Sequence, residues 1–311
     1  MNGGRQGGTA LVTALLVVAL ASVAATGLLE RQHIDIRRTD NLLTLDQAFA
    51  YARSAESWVV AVLLRDATEN QYDSRLDKWA ALFEPIPIDN GSLTAQVFDQ
   101  QALFNLNNLV EANGKPSQKD VEAFERLLAA LELDTTLAGA VLDWIDADTN
   151  VATHGAEDTD YLRLDTPYRA ANRAMASISE LRQVRGIDTA VYNKLAAYVT
   201  ALPKRTAVNV NTAPAPVLMA VVKGLGTAGA ETIIATREVT PYEDENVFRG
   251  QQALEGLEVD GISVNSDYFL IESKVGLGRS RVVQHTLVQR AAAAGQQGVI
   301  EILARSRGGL S

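Results

Sequence analysis

The stretch TALVTALLVVALASVAATGLL, residues 9–29, determines how this chain is organised. It holds 21 residues and no charged side chain, and as an α-helix it would extend roughly 31 Å at about 1.5 Å per residue. The hydrocarbon core of a bilayer is about 30 Å thick. The sequence therefore predicts one membrane-spanning helix close to the N-terminus.

Charges on either side predict the orientation of this helix. Arg5 precedes the apolar stretch, whereas Glu30 and Arg31 follow it. Positively charged residues concentrate on the cytoplasmic side of membrane spans. We therefore expect residues 1–8 in the cytoplasm and the bulk of the chain in the periplasm, anchored by a single pass through the inner membrane.

A cleaved secretory signal peptide is the alternative interpretation, since Val23-Ala24-Ala25 offers a small-residue cleavage site. Two features favour a retained helix. The polar leader ends in Gly8 directly before the apolar stretch, and no proline or turn signal separates that stretch from a second helical pattern. We predict one long helix, here called the spine. In the second pattern apolar residues recur every three or four positions, at Leu42, Leu45, Phe49, Ala52, Ala55, Val59 and Val62.

The remaining patterns predict an α+β fold. Turn signals at Pro85, Pro87 and residues 89–91 are expected to end the spine, and residues 93–97 then alternate as a half-buried strand does. Helical patterns fill residues 114–202. Strand patterns return at residues 268–275, 281–290 and 299–304. We therefore expect an all-α domain, residues 114–202, inserted into an α+β domain formed by residues 30–113 and 203–311.

Composition excludes several classes of protein. The chain has no cysteine, so disulfides, thiolate nucleophiles and cysteine-bound metals are excluded. Its formal net charge of -10 disfavours attraction to nucleic acid or to anionic lipid. The same acidity suits a hard cation, which prefers oxygen ligands.

An acidic loop between two helical patterns is the candidate cation site. With Asp146 as the first position, Asp148, Asn150 and Glu157 fall at the third, fifth and twelfth, which is the ligand spacing of a calcium loop. Val151 stands where an EF-hand requires glycine, so we do not expect a true EF-hand. A solvated loop or a helix N-cap is the alternative interpretation of these carboxylates.

Other motifs suggest functions that the context disfavours. Residues 224–229 match G-x-G-x-x-G, but residues 217–223 are predicted to be helical, whereas a dinucleotide site needs a preceding strand. Glycine turns after residues 181–185 and 218–223 resemble a DNA-binding helix-hairpin-helix, and a membrane-tethered DNA-binding protein is the alternative function. A periplasmic hydrolase is a further alternative, although His33, His154 and His285 lie far apart and form no catalytic motif. Trp58 and Trp144 are expected in the core.

A resemblance to a known family adds to these predictions. The leader with its terminal glycine and the uncleaved apolar helix resemble those of type IV pilins and pseudopilins. Most members carry glutamate at the fifth mature position, where this chain has Thr13. That loss, D-W-I-D-A-D at 143–148, Y-R-A-A-N-R at 168–173, S-E-L-R at 179–182 and N-V-N-T-A at 209–213 resemble the K minor pseudopilins of type II secretion.

The resemblance implies a pilin-like fold, in which a long N-terminal helix packs on a small antiparallel sheet, and a role without catalysis. It implies cleavage by prepilin peptidase between Gly8 and Thr9, so that residues 9–29 stay as the anchor. Expected partners are minor pseudopilins I and J and the major pseudopilin, with this subunit at the pseudopilus tip, limiting extension. It also implies calcium in the helical domain. The candidate ligands are Asp146, Asp148, Asn150, Glu157, Asp158 and Asp160.

Overall fold

The computed structural model describes residues 6–81, 83–291 and 298–308, so residues 1–5 of the predicted leader lie outside the described part. The spine is helix α1, which runs without interruption over Gln6–Glu69. Alanine and leucine, both strong helix formers, dominate this segment, and the first proline stands at position 85. The predicted long helix is confirmed.

The end of the spine differs from the prediction. Helix α1 ends at Glu69, well before the prolines at 85 and 87. The backbone N–H of Asp73 donates to the carbonyl of Val264 at 2.9 Å. Its carboxylate accepts a hydrogen bond from the backbone N–H of Ser266 at 2.8 Å. These long-range bonds hold the segment after Glu69 in a non-helical path.

A short hairpin follows this segment. Strand β1 (Ile86–Ile88) pairs antiparallel with β2 (Gly91–Asp99). The turn between them uses Asn90 at a φ of 62°, a conformation that asparagine tolerates better than most residues. Leu93, Ala95 and Val97 are buried along β2, which confirms the predicted alternation.

Residues 100–266 form a largely helical region, which we call the head. Its α-helices are α2 (Gln118–Ala130), α3 (Leu137–Ile145), α4 (Asp158–Tyr161), α5 (Thr189–Leu195), α6 (Ala215–Val221), α7 (Thr227–Arg237) and α8 (Glu245–Arg249). Short 3₁₀ helices lie at Gln100–Ala102, Leu106–Leu109, Ile178–Gln183 and Gln252–Leu254. Two-residue strands link distant parts of it: β3 (Phe104–Asn105) pairs with β4 (Val199–Thr200), β5 (Val208–Asn209) with β8 (Ile262–Ser263), and β6 (Val222–Lys223) with β7 (Glu258–Val259).

The head has one continuous hydrophobic core. This core begins at Phe104 and continues to Val264, and it includes Leu128 from α2, Leu218 from α6 and Phe248 from α8. Helices α2 and α6 pack against each other. The helical core therefore extends about sixty residues beyond position 202, where the sequence suggested that the inserted domain ends.

The chain closes with three long strands, β9 (Tyr268–Leu277), β10 (Ser280–Ala291) and β11 (Val299–Arg307). They join the first hairpin in an antiparallel sheet of order β1-β2-β9-β10-β11. All three predicted closing strands are confirmed. The β9–β10 turn contains Gly278 at a φ of 55°, and the other predicted turn, at residues 295–298, falls mostly outside the described residues.

One face of the sheet packs on the second half of the spine, and we call residues 48–99 and 268–308 together the body. Ala48, Ala52, Val59 and Leu63 are fully buried against sheet residues such as Phe269. This packing gives the α+β, pilin-like fold that the sequence predicted. The first residues of the predicted apolar stripe do not take part, since Leu42 and Leu45 lie before the sheet begins and stay exposed.

The two tryptophan predictions have different outcomes. Trp144 is buried, as predicted, whereas Trp58 is 44% exposed and lies edge-to-face with Phe83 at 4.5 Å between ring centroids. The prediction for Trp58 was therefore wrong, because α1 turns this position away from the sheet. His285 is buried in β10 and lies 3.1 Å from the carboxylate of Glu272.

Candidate metal centre

The acidic loop leaves helix α3 at Asp146 and reaches helix α4 after Glu157. The structure brings the carboxylates of Asp146, Asp148 and Glu157 together, with one oxygen from each within 4.8 Å of the others. Asp146 and Glu157 are buried, whereas Asp148 is exposed. The first, third and twelfth positions of the predicted spacing therefore meet at one point.

Several oxygens of this group have no partner. Oδ1 of Asp146 is buried and has no hydrogen-bond partner, and the buried carboxylate of Glu157 faces only backbone N–H groups at the start of α4, none in good hydrogen-bond geometry. Burying an ionised carboxylate without a partner is unfavourable by several kcal/mol. The donor set consists of carboxylate oxygens only, and these are the ligands that a hard cation prefers.

The pKa values reflect the same crowding. Burial, and then the carboxylates of Asp148, Asp143 and Glu157, raises the pKa of Asp146 to about 7. Burial followed by repulsion from Asp143 also raises the pKa of Glu157. The loop therefore holds its carboxylates together against their mutual repulsion.

The other predicted ligands do not join this group. Asp158 accepts hydrogen bonds from Arg169 Nη1 and from the Ala170 backbone N–H, both at 3.0 Å. Asp160 forms an ion pair with Arg185 at 3.1 Å. These two carboxylates bind arginines and so close the loop. The sequence suggested that they are calcium ligands, and the structure instead gives them this structural role.

Asn150 also points elsewhere. Its side-chain amide donates to Oδ1 of Asp148 at 2.8 Å, and its backbone N–H donates to the same oxygen at 2.7 Å. Asn150 therefore orients Asp148. The loop therefore has the ligand spacing of an EF-hand but not its geometry, as expected from Val151 at the position where an EF-hand requires glycine.

Two residues that the sequence did not single out support the loop. Asp143 is fully buried, and its carboxylate accepts a hydrogen bond from the backbone N–H of Ala152. Gly155 lies directly against this carboxylate, since an added Cβ would stand 1.9 Å from Oδ2 of Asp143. The position of Asp143 one turn before Asp146 on the predicted helix was the available signal.

Arg185 and an aromatic cluster fix the loop to the head. The guanidinium of Arg185 donates to the carbonyl oxygens of Gly155 and His154. Trp144 packs edge-to-face on Tyr161, with 5.4 Å between ring centroids. The three carboxylates therefore lie on a rigid support.

The motifs that resemble nucleotide- or DNA-binding sites have structural roles in the head. Helix α6 ends at Val221, and the two-residue strand β6 directly precedes Gly224, so the predicted helix over residues 217–223 is wrong for its last two residues. Strand β6 pairs antiparallel with β7, so the G-x-G-x-x-G run does not belong to the parallel βαβ unit of a dinucleotide site. In the lead-in of the hairpin-like motif, Asn211 exchanges two hydrogen bonds with the backbone of Tyr242, at 2.8 and 2.9 Å. Asn209 donates to the Asp73 carbonyl, to Asp99 and to Ser266. Both asparagine side chains are buried.

The remaining feature of the fold is the membrane anchor at the start of α1. Within the described residues, α1 is the one helix that is long and apolar enough to cross a membrane, and none of its most apolar window is buried in the protein. A membrane-length apolar helix whose second half packs on an antiparallel sheet is the architecture of a pilin-like subunit. The fold and the single-pass membrane anchor together define this protein as a pilin-like subunit.

Comparison with known proteins identifies the family. Two family models, both described as type II secretion system (T2SS), protein K, match residues 102–204 and 208–270. The type II secretion system protein K of Pseudomonas aeruginosa is 36% identical, over 97% of this chain and 93% of that protein. The protein K of Aeromonas hydrophila is 33% identical, over 98% of each chain. This chain belongs to the type II secretion system protein K family and is a minor pseudopilin, a component of protein transport.

A solved structure agrees. The chain is similar to one in the crystal structure of the GspK–GspI–GspJ complex from enterotoxigenic Escherichia coli, with a TM-score of 0.75 and 27% identity over 88% of this chain and 99% of that one. The predicted family and fold are therefore confirmed. Members of this family are structural pseudopilins rather than known enzymes.

Proposed function

We propose that this subunit forms the tip of the periplasmic pseudopilus with minor pseudopilins I and J, above a shaft of the major pseudopilin, and limits the extension of that shaft. The solved relative is part of a complex with GspI and GspJ. The observation that carries the proposal is the exposed first half of the spine. From residue 10 to residue 43 every described side chain of α1 is exposed.

This exposed surface is strongly apolar. Leu11, Leu15, Val18 and Val23 are each more than 60% exposed. Large exposed apolar surfaces mark contacts with lipid or with protein. Lipid covers this half of the spine before assembly, and the spines of neighbouring subunits cover it afterwards. Assembly is then a transfer between two apolar environments, driven by packing.

The residue at position 13 supports an end position in the filament. After cleavage by prepilin peptidase between Gly8 and Thr9, Thr13 is the fifth residue, and its hydroxyl donates to the Ala10 carbonyl within the helix at 3.0 Å. The usual glutamate there pairs with the amino terminus of a neighbouring subunit. A subunit at the end of a filament has neighbours on one side only, so it has less use for a membrane-buried carboxylate.

The head supports the limit on extension. It inserts between β2 and β9, which are neighbouring strands of the sheet, with Asp99 opposite Phe269. The body is therefore a complete pilin-like unit without the head. A region as large as residues 100–266, added to a subunit of pilin width, obstructs further stacking.

A deletion tests this proposal. Because Asp99 and Phe269 are register partners, an Asn-Gly turn can replace residues 100–268 and join β2 to β9 as a hairpin. We expect the variant to insert in the membrane and to allow longer pseudopili when the major pseudopilin is in excess, as measured by electron microscopy. Pseudopili of wild-type length, with the variant present at wild-type level, would contradict the capping role.

We also propose that Asp146, Asp148 and Glu157 hold Ca²⁺. The buried carboxylate oxygens of Asp146 and Glu157 and the exposed carboxylate of Asp148 fit this ion. When bound, the ion neutralises the carboxylates and stiffens the loop that Arg185 and Trp144 fix to the head.

Thermal unfolding tests the calcium site. A ligand present at about one hundred times its Kd stabilises the native state by about 2.7 kcal/mol. We expect excess Ca²⁺ to raise the Tm of the full-length protein by several degrees relative to EDTA. The shift should fall in Asp146→Asn with Glu157→Gln and persist in the control Asp165→Asn, which alters an exposed carboxylate nearby. An equal Tm in Ca²⁺ and EDTA would exclude the site.

A further inference from the structure

A second group of carboxylates lies where the spine meets the head. Asp66 is on the last turn of α1, and Asp73 and Asp77 are on the segment that follows. One oxygen from each lies within 4.8 Å of the others. We call these three residues the joint cluster.

Among the residues that the structure describes, Arg290 is the cation that pairs with the joint cluster. Arg290 in β10 places Nη1 3.4 Å from Oδ2 of Asp66, and its Nη2 forms an ion pair with Oδ2 of Asp73. Lys78 points outwards, where it pairs with Glu69 and is 75% exposed. The guanidinium therefore pairs with two of the three carboxylates, and Asp77 has no ion pair among the described residues.

Asp73 leaves one oxygen unused. Asp73 is 1% exposed, and its Oδ2 accepts hydrogen bonds from Arg290 and from the Ser266 backbone N–H. Oδ1 is buried and has no hydrogen-bond partner. A buried polar atom without a partner is rare in native proteins and needs an explanation. Here the protein fixes one oxygen and leaves the other for a ligand.

Asp77 is positioned by its own loop. Its Oδ2 accepts a hydrogen bond from the Ser74 backbone N–H at 2.6 Å, and its Oδ1 accepts one from Asn70 Nδ2 at 3.2 Å. Each carboxylate oxygen has a further lone pair available for a metal. The donors are therefore oxygens on a preorganised support, as a hard divalent cation requires.

We propose that Asp66, Asp73 and Asp77 bind a divalent cation, Ca²⁺ or Mg²⁺, at a site separate from the acidic loop. The ion locks the head to the body. Asp66 belongs to the spine, and Arg290 to the sheet. The carbonyl of Asp73 accepts a hydrogen bond from Asn209 of the head at 3.0 Å. A cation at this point therefore joins all three parts of the molecule.

The rival occupant is a proton shared between Asp66 and Asp73. Burial, and then the carboxylates of Asp77 and Asp73, raises the pKa of Asp66 to about 7. Charge distinguishes the two occupants. A divalent cation together with Arg290 balances the three carboxylates of the joint cluster, whereas one proton together with Arg290 leaves one negative charge, to which the neighbouring carboxylates of Asp99 and Asp267 add.

Calorimetry on the full-length protein in detergent micelles tests the proposal. The protein carries Asp146→Asn and Glu157→Gln, so that the acidic loop cannot contribute, and it is titrated with CaCl₂ and with MgCl₂ after treatment with EDTA. We expect one cation per chain. Asp77→Asn, which keeps an oxygen for Ser74, should weaken binding by about tenfold or more because it removes a charged ligand. Asp66→Asn is the second variant, in case Asp77→Asn does not fold.

The control is Glu69→Gln, a carboxylate on the same turn that lies outside the joint cluster and pairs with Lys78. It should bind as the parent does. No heat of binding in a parent that unfolds with the same cooperativity as wild type would overturn the proposal, and so would unchanged affinity in both Asp66→Asn and Asp77→Asn. If the wild type also binds one cation, unaffected by the loop substitutions, the loop site fails and the joint site stands.

Discussion

The acidic loop and the joint cluster each bring three carboxylates together within twelve positions of sequence, yet their surroundings differ. In the loop, the nearby cation is Arg185, which is 47% exposed and pairs with Asp160 outside the group. In the joint cluster, the cation is Arg290, which is buried and more than two hundred residues away. The loop is therefore a local structure on the head, whereas the joint cluster depends on the assembly of spine, sheet and head.

This difference has an energetic consequence. Exposed ion pairs contribute little to stability, because water already solvates both charges. A buried pair is costly to break, because removing one partner leaves the other charge buried alone. The same type of substitution should therefore have very different effects at the two places.

Replacing the two arginines gives the largest expected effect. Arg290→Met should lower the free energy of unfolding by about 3–5 kcal/mol, since it leaves Asp66 and Asp73 buried without their cation. Arg185→Met should lower it by about 1 kcal/mol or less. Urea unfolding of the full-length protein, followed by circular dichroism, measures both. Equal losses of unfolding free energy would show that the joint cluster depends on Arg290 no more than the acidic loop depends on Arg185.

The second prediction concerns Asp99, which is fully buried beside the joint cluster. Burial raises its pKa to about 6, although hydrogen bonds from Thr212 and Ser266 oppose this change and the Asp73 carboxylate adds to it. The native state therefore keeps a proton that the unfolded chain loses near pH 4. Stability from this group is complete below about pH 4 and is lost as pH rises through 6.

The comparison with Asp99→Asn isolates this effect. From pH 4 to pH 7 the wild type should lose about 3 kcal/mol relative to the variant, at about 1.4 kcal/mol per pKa unit. Unfolding free energies at several pH values provide the measurement. A difference between wild type and variant that stays constant with pH would mean that Asp99 is already ionised at pH 4.

Periodic patterns explain what the sequence could predict. The spine was predictable because apolar length and helical spacing are local properties, and β2, β9 and β10 were predictable because alternation is local too. The end of the spine was not predictable, because a bond between Asp73 and Val264 determines it. Strands β5 and β8 draw residues after 202 into the head, and two residues each are too short for any pattern.

The two carboxylate groups follow the same rule. Asp146, Asp148 and Glu157 were predictable from a ligand spacing within one loop, whereas the arginine partners of Asp158 and Asp160 were not. The joint cluster escaped prediction because the feature that makes it unusual, a buried arginine that pairs with two of its three carboxylates, comes from a strand at the other end of the chain.

The third prediction tests how tightly the acidic loop is packed. An added Cβ at Gly155 would stand 1.9 Å from Oδ2 of Asp143, so Gly155→Ala must displace the loop. Such overpacking costs about 1–3 kcal/mol, and the displacement should also weaken Ca²⁺ binding. Gly226→Ala is the matched control, because its Cβ meets nothing within 4 Å. Thermal midpoints with and without Ca²⁺ check both variants. If Gly155→Ala behaves as the control does, the loop is looser than its contacts indicate.

The smallest expected effect marks the boundary of the joint cluster. Glu69 lies one turn from Asp66 but pairs with Lys78 in solvent, with the two side chains 49% and 75% exposed. Glu69→Gln should therefore lower the free energy of unfolding by about 0–1 kcal/mol, and less at high salt, because ions screen an exposed pair. The same urea experiment at low and high ionic strength measures this. A loss as large as that of Arg290→Met would mean that Glu69 belongs to the joint cluster, and the contrast between the buried cluster and the exposed Glu69–Lys78 pair would no longer hold.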